Sequence, residues 1–287
     1  MKIFKKAFTL IELVMVIVIM GILGSFGTEY LAQAYESFIF SKINNNLNEE
    51  SNYATEFIAG RLQYRIKDSI IARKTDGTFK ALSDASGDEY IGIEWVQTDI
   101  EGFRGVTKPY WSGIIDLDAG DSSTLISPET NTSAMSSYII DPLSYGSKTL
   151  DDGALYFIGA NNDIESGYGW DATAITDQTK VMHPIKAGSE IDQFVANGGD
   201  FHGVDIYEFY KFSWTANALV LEGEDLYFYY NYQPWNGDSY SDANRSLLVS
   251  GVKTFRALAI GSVIKVQLCV GTDLVEEYAL CKEKTIF

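Results

Sequence analysis

The sequence predicts an α+β fold: a long N-terminal helix packed on an antiparallel sheet domain with long loops. Three observations predict it. No proline occurs in residues 1–108, and apolar residues recur mostly at steps of three and four as far as Arg73, the pattern of a helix. Beyond that point short apolar and aromatic runs alternate with clusters of Gly, Asp, Ser and Asn, the pattern of strands and turns. The helix also opens on an unusually oily stretch behind Lys2, Lys5 and Lys6.

From Phe8 to Gly27 the stretch is interrupted only by Thr9, Glu12, Gly21, Gly24, Ser25 and Gly27 itself. Its 20 residues match the roughly 30 Å of a bilayer's hydrocarbon core at about 1.5 Å per helical residue. Basic residues precede it and none follows until Lys42, so the positive-inside rule keeps the N-terminus cytoplasmic. A cleaved secretory signal would end at a small-residue site. Here the apolar run passes directly into Tyr30, Leu31, Ala34, Phe38, Ile39, Ile43 and Leu47, which continue the helical spacing through Ile58, Leu62, Ile66 and Ile70. The expected organisation is a short leader over 1–7, a membrane-crossing helix over 8–27, its amphipathic continuation over 28–74, and a strand-rich domain over 75–287.

Within the last region the strands are expected at 90–97, 153–159, 205–214, 217–223 and 225–232. A closing meander is expected from 247–260, 262–270 and 284–287. The polar stretches 118–137 and 160–200 read as surface loops.

The formal charge is −17, spread as +2 over residues 1–75, −20 over 76–250 and +1 over 251–287. Such an acidic middle repels phosphate backbones, so nucleic acid is not an expected partner. Cys269 and Cys281 lie 12 positions apart and should pair if this part of the chain is exported; otherwise they are two buried thiols.

Catalytic signals are weak, and the chain reads as a non-enzyme. His183 and His202 are the only histidines, without an HExxH pair, and no GxSxG elbow or P-loop occurs. "GYGWDA" (167–172) fits a dinucleotide fingerprint in letters only, with no strand before it and no helix after. "NTS" (131–133) reads as a loop. No cofactor is expected; calcium remains an option at acidic loops carrying Asp116, Asp118, Asp121, Asp163, Asp238 and Asp242. The run "DLYFYYNYQPW" (225–235) is either a binding platform, with Tyr229 and Trp235, or an ordinary strand with half its rings in the core.

The opening "KKAFTLIEL" followed by an apolar helix resembles the class III signal of type IV pilins and of the pseudopilins of type II secretion. The resemblance implies that a prepilin peptidase cuts between Ala7 and Phe8 and that Phe8 is then N-methylated; Ala7 stands where the family usually has glycine. It also supplies a purpose for Glu12. A carboxylate in hydrocarbon costs roughly 2.5–3.5 kcal/mol and requires a partner. The implied partner is the new Phe8 amine of a neighbouring subunit, so that a misplaced subunit leaves two desolvated charges unpaired. Further along, "EFIAGRLQYRIKDSIIAR" (56–73) and the Val252/Phe255 segment before paired strands are similar to minor pilins of the W type and pseudopilins of the J type. The implied partners are other pilins, the prepilin peptidase and an inner-membrane assembly platform. The implied location is the inner membrane with a periplasmic domain, and then a pseudopilus or surface pilus. A tip adhesin on the same stalk is the alternative.

Overall fold

The computed structural model describes residues 9–272 and 278–287. The first helix, α1, spans Leu10–Leu62, and the chain divides within it into two compact units, Met1–Glu49 and Glu50–Phe287. The α+β prediction stands: a long helix is followed by antiparallel sheets.

In the first unit α1 begins at a polar cap and continues through an uninterrupted apolar run, with no proline to remove a hydrogen bond. In the second unit its last turns bury Ser51, Ala54, Thr55, Ile58, Ala59 and Leu62. Side chains such as Ile58 and Leu62 contribute about 1.5–3 kcal/mol each when fully buried.

The expected helix to Arg73 is corrected: it ends at Leu62. The amide of Ile66 donates to Val96 O (2.9 Å) and that of Thr98 to Tyr64 O (2.9 Å), so the chain leaves the helix to line the end of a strand. Arg65 folds back and donates Nη1 to Leu62 O (2.7 Å), filling one of the carbonyls a helix leaves open. Ile66 and Ile70 keep their helical spacing in sequence, but they are buried outside the helix.

The largest sheet is formed by β1 (Ile71–Lys74), β2 (Phe79–Ala81), β3 (Tyr90–Gln97), β9 (Thr215–Glu222), β10 (Asp225–Tyr232) and β11 (Asn244–Val249), all antiparallel, in the order β11-β10-β9-β3-β1-β2. Between β3 and β9 the chain makes a long excursion. It opens with α2 (Ile100–Arg104) and builds a second antiparallel sheet from β4 (Thr124–Ile126), β5 (Ala154–Phe157), β6 (Met182–Ala187), β7 (Gln193–Ala196) and β8 (Tyr210–Ser213), in the order β4-β7-β6-β5-β8. The expected loops 118–137 and 160–200 are therefore corrected: they carry β4, β6, β7 and helical turns beginning at Thr132. Two apolar cores follow: one around Val96, Trp170, Tyr232 and Trp235, which also takes in Ala154, Tyr156 and Met182 from the second sheet, and one around Trp111, Phe157, Phe194 and Phe212.

The last sheet, β12 (Val252–Ile260), β13 (Val263–Gly271) and β14 (Ala279–Ile286), is the predicted meander, with its third strand beginning at Ala279, ahead of the expected 284–287. The segment expected to open it, 247–260, is split: its start belongs to β11 at the edge of the large sheet.

A charged network lies at the centre of the large sheet. Arg73 Nε donates to Glu94 Oε1 (2.5 Å), and its other nitrogens reach Gly77 O and Trp170 O. Tyr232 donates its hydroxyl to Glu94 Oε2 (2.8 Å), and Glu94 is fully buried. Every charge there has a partner, which is the condition for burying one.

Candidate assembly site

The start of α1 is a reciprocal cap built from Thr9, Leu10, Ile11 and Glu12. The Thr9 amide and hydroxyl both donate to Glu12 Oε2 (2.9 and 2.8 Å), and the Glu12 amide donates to Thr9 Oγ1 (3.3 Å). Two otherwise open amides are satisfied in this way, as in the S/T-x-x-E capping box. The carboxylate also sits where the positive end of the helix dipole favours it. Ala7 and Phe8, the predicted cleavage and methylation residues, lie outside the described residues.

Around this polar cap the surface is oily. Leu10 to Leu23 and Phe26 present apolar side chains that are between 41% and 82% exposed. The helix is long and apolar enough to cross a membrane. So much contiguous exposed apolar surface marks an interaction face for lipid or for other helices. Gly21, Gly24 and Gly27 recur every third residue, and a Cβ added at any of them would meet nothing within 4 Å.

Cys269 and Cys281 form a disulfide across directly paired positions of β13 and β14, with their Cα atoms 3.9 Å apart. The prediction of a cross-link is met.

The acidic loops use their carboxylates on themselves. Asp116 accepts the Asp118 amide, Asp121 those of Ser123 and Thr124, and Asp163 those of Glu165 and Ser166. Asp238 pairs with Lys148 (3.2 Å), and Asp242 closes a capping box with Ser239. Asp118 is exposed. Among the described residues no three His, Cys, Asp or Glu side chains converge as a metal site.

His183 is buried beside Phe157, with ring centres 4.9 Å apart, and burial pushes its imidazole down to about 4. His202 is exposed on a turn. Of the two readings of 225–235, the core one is found: Tyr229 and Trp235 are buried, and the Trp235 Nε1 donates to Asp152 O (2.9 Å). They belong to the core and are not a surface for ligand. "GYGWDA" places Tyr168 and Trp170 in the same core. Its Gly169 has φ +80° and passes so near Pro234 O that a Cβ would lie 2.1 Å from it. Asn131 of "NTS" caps a helical turn by accepting the Ala134 amide.

Two features were not read from the sequence. The capping role of Glu12 was legible as T-x-x-E ahead of an apolar run. Asp99 was not: it is 2% exposed at the start of α2, accepts the Gly102 amide (3.1 Å) and Trp111 Nε1 (3.2 Å), and burial pushes its carboxyl up to about 7.

Residues 4–28 match the family model described as the prokaryotic N-terminal methylation motif. No curated protein and no solved structure matches the chain.

Proposed function

We propose that this protein is a minor pilin or pseudopilin, a structural subunit that is processed after Ala7, methylated on Phe8 and packed into a filament through α1. The observation that carries the reading is the methylation motif over residues 4–28, coincident with an exposed apolar helix. The size of the second unit, Glu50–Phe287, favours a low-copy subunit akin to the W or J type. In this reading the N-terminus faces the cytoplasm and the sheets lie in the periplasm. The subunit performs no catalysis.

Glu12 then has two successive tasks. Within one chain it caps α1 through Thr9. In the filament its second oxygen accepts the Phe8 amine of a neighbour, which offsets the cost of holding both charges away from water. A tip-adhesin role on the same stalk is the second reading, and a cavity described below favours it.

Mass spectrometry of the protein recovered from membranes tests the proposal. The expected product starts at Phe8 and carries one added methyl group on its amine. A functional protein that retains Met1–Ala7 overturns it.

A further inference from the structure

The second unit holds a cavity of about 420 Å³, within the range of roughly 300–1,000 Å³ typical of small-ligand sites. It lies beside the last turns of α1 and extends over β11, β10, β9 and the end of β3. Rings of Phe57, Trp214, Phe228 and Tyr230 line it, and its polar groups include Thr98 and Asn217.

Four features distinguish this cavity from a packing gap. Thr98 is buried, and among the described residues its Oγ1 has no hydrogen-bond partner, a cost of about 1–3 kcal/mol. Asn217 gives its Nδ2 to Gln97 (3.0 Å), which leaves its carbonyl oxygen for another donor. Arg61 stacks over Phe57 and Phe228, 5.4 and 5.6 Å from the ring centres, and among the described residues no carboxylate pairs with it. The β9–β10 register shifts between Tyr229 and Tyr232, and Asn231 there adopts φ +65°. Tyr145, at the same cavity, adopts φ +57°. Bulges and left-handed non-glycine residues re-aim side chains and are concentrated at ligand sites.

From these groups we infer that the cavity binds a saccharide bearing a carboxylate, such as a uronic acid. Aromatic faces suit the C–H surface of a pyranose, the free hydroxyl and amide oxygen suit its hydroxyl groups, and the unpaired guanidinium suits a carboxylate through paired hydrogen bonds. Two protein carboxylates also line the site. Asp99 already accepts from Gly102 and Trp111, and Glu101 is exposed, where water and salt screen it. The inference goes beyond the assembly role, since a filament subunit needs no such pocket.

The test is titration of the full chain in detergent micelles with sodium glucuronate, glucose and 4-hydroxyphenylacetate, by calorimetry or saturation-transfer NMR. Glucuronate should bind at least tenfold tighter than glucose, and Arg61→Gln should remove that preference without changing Tm. Thr98→Val should raise Tm, because it deletes an unpaired buried hydroxyl, while weakening glucuronate several-fold. The inference is overturned if neither sugar binds, or if the preference survives both substitutions. It is overturned equally if 4-hydroxyphenylacetate binds as tightly as glucuronate, which would make the site one for aromatic acids.

Discussion

Thr9 and Glu12 hydrogen-bond each other in both directions at the first turn of α1. A glutamate that looks misplaced in an oily run is thereby committed to its own helix before any neighbour arrives. Capping and subunit pairing make different demands. A neutral amide oxygen still accepts the cap's hydrogen bonds, losing only the helix-dipole contribution, whereas pairing with an amine in an apolar setting requires the charge.

Substitutions at Glu12 separate the two demands. Glu12→Gln should keep the cap and membrane insertion but reduce filament incorporation nearly as far as Glu12→Ala does. Co-purification with sheared filaments and membrane fractionation measure both. Wild-type incorporation of the Gln variant would mean that the cap alone matters.

Removing the Cys269–Cys281 cross-link should cost about 3 kcal/mol, the chain-entropy value for a loop of this length. Thermal unfolding of Cys269→Ser/Cys281→Ser against the parent measures it. Thiol labelling of the unreduced parent under denaturing conditions should find neither cysteine free.

The Arg73–Glu94 pair should be costly to break singly. Arg73→Met leaves Glu94 buried, with Tyr232 as its only side-chain partner among the described residues, a change worth about 3–5 kcal/mol. Adding Glu94→Gln should recover part of that loss, so the double variant is more stable than the sum of the two single effects predicts. Strict additivity in a thermal or denaturant series would show that the two groups do not interact.

Asp99 and His183 should pull the pH dependence of stability in opposite directions. Burial raises the Asp99 carboxyl to about 7, so between about 3.9 and 7 the folded chain holds a proton that the unfolded chain has released, and stability falls as pH rises. Burial lowers His183 to about 4, so between 4 and about 6.5 the unfolded chain holds the extra proton and stability rises with pH. Asp99→Asn keeps an oxygen for the Gly102 amide. Relative to the parent it should therefore gain more stability at pH 8 than at pH 4, by at least about 1 kcal/mol. Equal effects at both pH values would remove Asp99 as a titrating group.

Much of this was legible in the sequence where the pattern was locally complete. β3 and β10 fall where 90–97 and 225–232 were expected, because aromatic and β-branched residues run there between turn residues. The paired cysteines and the meander around them were legible for the same reason. β6 was not, since Pro184 sits inside it and a proline demotes a strand on sequence grounds. β7 has only four residues, too few to show alternation. The end of α1 was missed because Ile66 and Ile70 satisfy helical spacing, and what stops the helix is the edge of β3, some thirty residues onward. The aromatic cavity depends on residues drawn from four strands, α1, α2 and the loops between them, and no window of sequence holds them together.

β3 and β9 are direct neighbours, Glu94 facing Ala218, although residues 98–214 separate them along the chain. In the proposed topology, in which the second unit is exported, β3 is delivered early and the whole intervening sheet must follow before the middle of the large one can form. The entropic cost of closing so long a loop grows only slowly with its length, but the distant pairing is delayed. Until β9 emerges, β3 lacks its neighbour on that side and the Glu94 carboxylate lacks the Tyr232 hydroxyl. During that interval the half-made domain is most exposed to proteases and to sticking to its siblings.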